Sequence, residues 1–401
     1  MNPVSAWSGR RWTLSLLLAA LAMQAPFAVD AYLPAFGPIA ASLRATPVQM
    51  QQTLSAYLLA FALANLFHGA LSDSLGRRPL VLAGVGVFTI ASVGCALATD
   101  FPTLLVFRVL QGLSAGAGMV VGRAIIRDLF PPADAQRAMS QVTIFFGLAP
   151  VLAPMIGGLM LGLAGWRSVF AFLAGVGMLI GVASWRLLPE TLAPAQRHRL
   201  AVGSLLRGYG ELLGHRRFLA LVAASAVPFN GFFLYVLAAP VYLGGHLQLG
   251  PTQFFWFFAI NMVGLMAGAW WSGRLAGRLP GRVQAGRGFA LMGVASVVNV
   301  AMVLALPPGA AWSMWPVGLL CFGWSLATPV VTLLALDQVP QRRGTASSLQ
   351  SCLGSTLNAA VAGVLVPLVM DSMLGLALAS AAMCALGWLA WTRVHRGVLA
   401  G

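Results

Sequence analysis

Long apolar runs, interrupted at clusters of arginine, proline and glycine, dominate the sequence. A membrane-crossing helix needs about twenty apolar residues. The runs divide into twelve such segments: 13 to 36, 49 to 70, 80 to 98, 102 to 125, 136 to 162, 166 to 189, 217 to 243, 252 to 272, 286 to 306, 312 to 336, 346 to 369 and 372 to 393. Six precede the longest polar stretch, Glu190 to Arg216, and six follow it. The pattern predicts an all-α membrane protein with an N-terminal six-helix bundle (1–189), a cytoplasmic linker (190–216) and a C-terminal six-helix bundle (217–401).

One acid breaks the apolar pattern inside a span. Asp30 lies in Phe27-Ala-Val-Asp30-Ala-Tyr32-Leu-Pro34, between Pro26 and Pro34. A carboxylate in hydrocarbon is costly and normally faces a cavity or a partner. The flanking prolines withhold backbone donors, which is tolerated where protein or water satisfies the freed carbonyls. The other acids, Asp73, Asp100, Asp128, Asp134, Glu190, Glu211, Asp337 and Asp371, fall in loops or at segment edges. Proton coupling needs a group that loads on one side of a membrane and unloads on the other, a task within reach of a buried carboxyl. Asp30 is the candidate.

Composition agrees with lipid as the solvent: 59% of residues are hydrophobic and 8% charged. The formal charge of +15 does not indicate a nucleic-acid partner, because the basic residues, all arginine, sit in short loops and not on one amphipathic face. With both termini and the linker cytoplasmic, twenty of the 24 arginines fall on that side, and only Arg44 and Arg167 lie in outer loops. The excess of basic residues on one side fixes the expected orientation, with both termini inside. The four cysteines are isolated in apolar segments and lack metal-ligand spacing. Histidines are scattered over loops and helix ends, so no nucleophile with a base and no metal triad emerges, and an enzyme is not expected.

The halves echo each other. Gly69-Ala-Leu71-Ser-Asp73-Ser-Leu75-Gly76-Arg77-Arg78, after the second span, aligns with Gly273-Arg-Leu275-Ala-Gly277-Arg-Leu279-Pro-Gly281-Arg282, after the eighth. Asp128-Leu-Phe-Pro131 and Asp337-Gln-Val-Pro340 follow the fourth and tenth. Repeats at matching places point to a duplicated transporter with its site near the midplane.

The stretch from Gly69 to Arg78 resembles the loop signature G-x-L-x-D-x-x-G-R-[KR] of the major facilitator superfamily. Arg108-Val-Leu-Gln111-Gly112, followed by Ala115-Gly-Ala-Gly118, is similar to that family's fourth-helix motif. Ala149-Pro150-Val-Leu-Ala153-Pro154-Met-Ile-Gly157-Gly158 resembles the fifth-helix signature of drug:proton antiporters, with Ala149 and Ala153 where glycine is usual. Asp30-Ala-Tyr32-Leu-Pro34, Arg123-Ala-Ile-Ile-Arg127-Asp128-Leu and Gly344-Thr-Ala-Ser-Ser-Leu349 are similar to the bicyclomycin and chloramphenicol resistance (Bcr/CflA) subfamily. The resemblance implies two pseudo-symmetric six-helix bundles around a central cavity. It further implies export of drugs or metabolites by alternating access, with protons as the coupling ion and no cofactor.

Arg108 is the expected partner of Asp30, since counting at 1.5 Å per residue puts both about 9 Å below the outer surface. Gln111 shares its helix face at i+3. Phe27, Tyr32, Gln111, Phe229, Asn230, Phe233 and Asn261 are the candidate contacts for a small amphipathic substrate, a mostly apolar set with a few polar groups. Gly69, Asp73, Gly76, Arg77, Arg78 and Arg127 form the expected inner-face latch, and Pro150, Pro154, Gly157 and Gly158 the antiporter helix motif. The predicted partners are that substrate, protons and the lipid bilayer of a bacterial-type inner membrane, and the chain is expected to act as a monomer. A proton-independent facilitator or symporter on the same fold is the alternative.

Overall fold

The computed structural model describes residues 11–129, 132–197, 202–275, 278–338 and 343–399. Among them there are helices and turns but no strand. The chain divides into two compact units, Met1–Ala201 and Val202–Gly401.

Unit 1 comprises α1 (Arg11–Asp30), α2 (Phe36–Leu43), α3 (Pro47–Leu75), α4 (Arg77–Leu97), α5 (Phe101–Leu129), α6 (Pro132–Ala164) and α7 (Trp166–Leu187). Unit 2 comprises α8 (Val202–Leu213), α9 (Arg216–Leu237), α10 (Phe254–Leu275), α11 (Gly281–Ala305), α12 (Ala310–Ser313), α13 (Trp315–Asp337), α14 (Arg343–Ala360), α15 (Val366–Val369) and α16 (Met373–Leu399). Eleven stretches among the described residues are long and apolar enough to cross a membrane. The predicted fifth span, 136 to 162, lies within α6, whose described apolar part is Leu148–Ala164.

Local chemistry sets several boundaries. Thr46 and Gln49 exchange side-chain and backbone hydrogen bonds of 3.2 and 2.8 Å, a capping box that starts α3. Asp100 accepts the Thr103 N–H at 2.8 Å and starts α5 in the same way. Gly76, at φ 103°, separates α3 from α4 in a conformation only glycine adopts without strain.

Four spans differ from expectation near their ends. The first span was expected to end at 36, before Gly37-Pro38, but Pro38 sits in the first turn of α2, where its missing N–H is not needed. The span therefore runs to Leu43, and Arg44 closes it in the left-handed conformation at φ 52°. The second span was expected to end at 70 but continues to Leu75, so His68 is inside α3 and buried, not at a helix end. The seventh and eleventh spans lose α-helical geometry near their ends, with π-helical turns over Pro240–His246 and Val361–Leu365.

Packing within the two units follows one scheme. In unit 1, α3 and α4 pack on α5, α4 packs on α7, and α1 packs on α5, α6 and α7. In unit 2, α10 and α11 pack on α13, α11 packs on α16, and α9 packs on α13, α14 and α16. Helices matched by their order in each half thus meet the same neighbours, as a duplicated six-helix unit requires. Outward faces are apolar: Ile90 is 67% exposed and Val297 70%. Such faces suit lipid, not water.

Candidate functional site

The break in α1 organises unit 1. Pro34 has no N–H to give to the carbonyl of Asp30, and proline disfavours helical geometry in the residue before it. The last α-type bond runs from the Ala31 N–H to the Phe27 carbonyl at 3.1 Å, after which a 3-10 turn over Leu33–Ala35 leads into α2. Asp30 is the final residue of α1 and is 4% exposed.

Neighbouring helices satisfy the carbonyls near this broken end. Tyr57 on α3 donates its hydroxyl to the Ala25 carbonyl at 3.0 Å. Arg108 on α5 donates from Nη1 to the Ala28 carbonyl at 3.0 Å and to Gln111 Oε1 at 2.8 Å. A cation is favoured at the C-terminal end of a helix, where carbonyl dipoles converge. The guanidinium lies over the Tyr32 and Tyr57 rings, 4.7 and 4.4 Å from their centroids, and Arg108 is wholly buried. This placement excludes an arginine reaching to outer headgroups.

Arg108 bonds the carbonyl two residues before Asp30. An ion pair does not accompany it: among the described residues no salt bridge joins Asp30 to Arg108. Arg108 Nε and Nη2 have no hydrogen-bond partner there. Those two atoms are one edge of the guanidinium, the geometry that grips a carboxylate with two parallel bonds.

The remaining polar groups of this cluster are tied down. Gln111 donates Nε2 to Ser92 Oγ at 2.7 Å, and Ser92 donates to the Phe88 carbonyl at 2.7 Å. Thr53 gives its hydroxyl hydrogen to the Met50 carbonyl at 2.6 Å, so Tyr32 is the donor in its 2.8 Å bond to Thr53 Oγ1. Tyr32 and Gln111, named above as substrate contacts, are thus wholly buried and bonded inside the unit. Phe27 is half-buried on α1.

The antiporter helix motif meets the same break. On α6, Ala149, Ala153 and Gly157 are all buried and recur every four residues, forming one face. A Cβ on Gly157 would lie 2.1 Å from the Ala31 carbonyl oxygen, so only glycine admits α1 at this point. Pro150 and Pro154 lie inside α6, and Gly158 is buried.

In unit 2, the predicted Phe229, Asn230 and Phe233 form one cluster. Asn230, wholly buried on α9, donates Nδ2 to the Ala226 carbonyl at 3.0 Å and to Asn358 Oδ1 on α14 at 2.8 Å. Its own Oδ1 has no partner among the described residues. The Phe229 ring packs 5.1 Å from Phe233 and 5.0 Å from Trp324 of α13, which donates Nε1 to the Ser225 carbonyl at 2.9 Å. Asn261 stands apart on α10, 5% exposed, with neither end of its amide hydrogen-bonded among the described residues. Sequence reasoning missed Asn358 and Trp324. The available signals were an amide in a span and a tryptophan in mid-helix.

At the loop between α3 and α4, Arg77 bridges two acids. Its side chain pairs with Asp73 and, at 3.3 Å, with Asp128 on α5. Its backbone N–H donates to Glu190 Oε1 at 3.0 Å, so Glu190 caps α4. Glu190 also meets Arg197 at 3.6 Å, and Thr191 donates to Asp128 at 2.8 Å. Arg78 reaches the Trp185 carbonyl of α7. Gly76 sits under this cluster: a Cβ there would lie 2.5 Å from the Glu190 carboxylate, which would have to shift. Gly69 has open space around it, and the side chain of Arg127 lies outside the described residues. Glu190, Thr191 and Arg197 were read as linker; their role depends on where α7 ends in space, which spacing does not encode.

The sequence matches the profile of the Major Facilitator Superfamily over residues 13–363. The chain belongs to this family. It is a membrane transporter, not an enzyme. It is 28% identical over 373 residues to a bicyclomycin resistance protein homolog of Haemophilus influenzae, with 89% of each chain covered. Multidrug resistance protein MdtL of Escherichia coli is 31% identical over 353 residues, covering 86% of this chain and 88% of the relative. These likenesses agree with the Bcr/CflA pattern of its motifs. Among solved structures, a bacterial homolog of the human lysosomal transporter Spinster matches with a TM-score of 0.71 at 17% identity, covering 96% of both chains. That likeness concerns the fold alone.

Proposed function

We propose that this transporter is a proton-coupled exporter of small amphipathic drugs or metabolites, working by alternating access as a monomer in a bacterial inner membrane with both termini cytoplasmic. The observation that carries the reading is Asp30, a buried carboxyl at the broken end of α1 with no ion pair among the described residues. An unpaired acid in a membrane interior is expensive to keep and is by default functional. The names of the chain's relatives, bicyclomycin resistance and multidrug resistance proteins, support the substrate class.

In this reading Asp30 carries the proton. The free edge of Arg108 receives the carboxylate once the proton leaves, and Tyr32, Tyr57 and Gln111 hold the guanidinium in place. Phe229, Asn230, Phe233 and Asn261 contact the solute, with Asn358 and Trp324 added. The Asp73–Arg77–Asp128 cluster serves as the inner-face latch. The test is a growth panel of toxic compounds in an exporter-deficient host. The wild-type chain is expected to confer resistance that Asp30→Asn, expressed at equal level, does not; equal resistance from both would reject the assignment.

A further inference from the structure

The twelve-residue helix α8 follows the polar stretch between the halves. At 1.5 Å per residue it is about 18 Å long, too short to cross a bilayer. It is also no free linker. Tyr209 and Leu212 are 6% and 3% exposed, and the Tyr209 hydroxyl is hydrogen-bonded to Ser348 of α14. Burial pushes the Tyr209 phenol above its ordinary range, in keeping with a docked side chain. α8 packs on α14 and α9, so it belongs to unit 2.

Successive residues of a helix turn by about 100°, which resolves α8 into three edges. Leu205, Gly208, Tyr209 and Leu212 share the edge turned to the protein. Leu206 and Leu213, seven apart and so nearly superposed, share a second edge with Gly210 between them and Gly203 one turn before. Leu206 is 53% exposed and Leu213 48%. Arg207 and Glu211, one turn apart and both exposed, form the third. A water-borne helix packed on protein along one edge has no use for a second apolar edge.

The position of that edge identifies what covers it. Leu213 is three residues before Arg216, where the span Arg216–Leu237 begins, so α8 ends at the level where the chain enters the bilayer. Arg216 is exposed there, as is Arg207 on the polar edge. A short helix with an apolar edge, a polar edge and basic residues at the boundary suits the plane between headgroups and acyl chains. We propose that α8 is an interfacial lipid-binding element: its Leu206–Leu213 edge enters the acyl boundary, and Arg207 and Arg216 engage anionic phosphate headgroups. The occupant is the lipid surface, to which arginine charge is complementary. The proposal needs only that the chain spans a membrane, and is independent of proton coupling and of substrate.

The test uses the full chain in nanodiscs, with single spin labels at Leu206→Cys, Leu213→Cys and Glu211→Cys. The native cysteines Cys95, Cys321, Cys352 and Cys384 are buried, so the unsubstituted chain is the labelling blank. Labels at 206 and 213 are expected to be several-fold more accessible to oxygen than to a water-soluble nickel complex, and the label at 211 the reverse. Replacing part of the phosphatidylcholine with phosphatidylglycerol is expected to deepen the 206 and 213 labels. The double change Arg207→Gln with Arg216→Gln is expected to abolish that response. Nickel access at 206 and 213 equal to that at 211 would overturn the proposal, as would shielding from both reagents, which would mean that protein covers the edge. A lipid response that is absent, or that survives the double change, would overturn the headgroup assignment.

Discussion

The two units bury different chemistry. Among the described residues, unit 1 buries Asp30, His68, Arg77 and Arg108, whereas the buried polar residues of unit 2 are all uncharged serines, asparagines and a glutamine. In unit 1, Arg108 and Tyr57 hold the broken end of α1 that carries Asp30, while His68 bonds Asn65 and Arg77 pairs with Asp73 and Asp128. In unit 2 an amide pair, Asn230 with Asn358, lies beside the Phe229–Trp324 aromatic contact. Helices that pack by one scheme in both units therefore carry a titratable site in one and a neutral site in the other. The proposal that follows assigns coupling to the first and solute recognition to the second.

Arg108→Gln attacks the comparison most strongly. It leaves the Ala28 carbonyl without its donor and removes the cation from the Tyr32–Tyr57 pair. Leaving a buried group unsatisfied costs about 1–3 kcal/mol. A lowered Tm in detergent is expected together with loss of proton-driven transport, while solute binding persists; weakened binding with intact coupling would reverse the assignment. Gly157→Ala probes the same region by bulk alone. Its methyl group meets the Ala31 carbonyl, and overpacking costs about 1–3 kcal/mol. A destabilised protein that fails to couple is expected, and an unchanged Tm would show that α1 and α6 part easily.

Asn358→Ala tests unit 2. It removes one bond from Asn230, and a hydrogen bond contributes about 0.5–1.5 kcal/mol net. A KM several-fold higher is expected, with no change in the pH profile of transport. A moved pH profile would mean that the units do not divide the work as proposed. Asp100 serves as the control outside both clusters. The Thr103 backbone N–H and hydroxyl hold its carboxyl below the ordinary range. The stability this contributes is present at neutral pH and is lost as the pH falls through the lowered value. The Tm difference between wild type and Asp100→Ala is therefore expected to shrink below about pH 4, with coupling and KM unchanged at neutral pH.

Element lengths were legible because hydrocarbon imposes them, and so was the loop from Gly69 to Arg78, whose glycine and charges have local reasons to be spaced as they are. Asp30 stood out because an acid within an apolar run has few explanations. What escaped were partners across helices. A span that is apolar on most of its circumference gives little sign of its rotation, so Asn358 and Trp324 could not be placed beside Asn230 and Phe229. Arg108 was paired with Asp30 by charge and counted depth, but a backbone carbonyl freed by helix breakage competes for the same guanidinium. Such a carbonyl is invisible until the break is located. The end of the first span was itself misjudged because proline marks a boundary only outside the first helical turn.

The central claim is that Asp30 carries the coupled proton. The most direct measurement is internal pH in proteoliposomes loaded with a pH-sensitive dye, following addition of a compound from the resistance panel to wild type and to Asp30→Asn. The account predicts a proton flux opposite to the solute in wild type and none in Asp30→Asn, with solute still bound. Undiminished, solute-dependent proton flux in Asp30→Asn would contradict it.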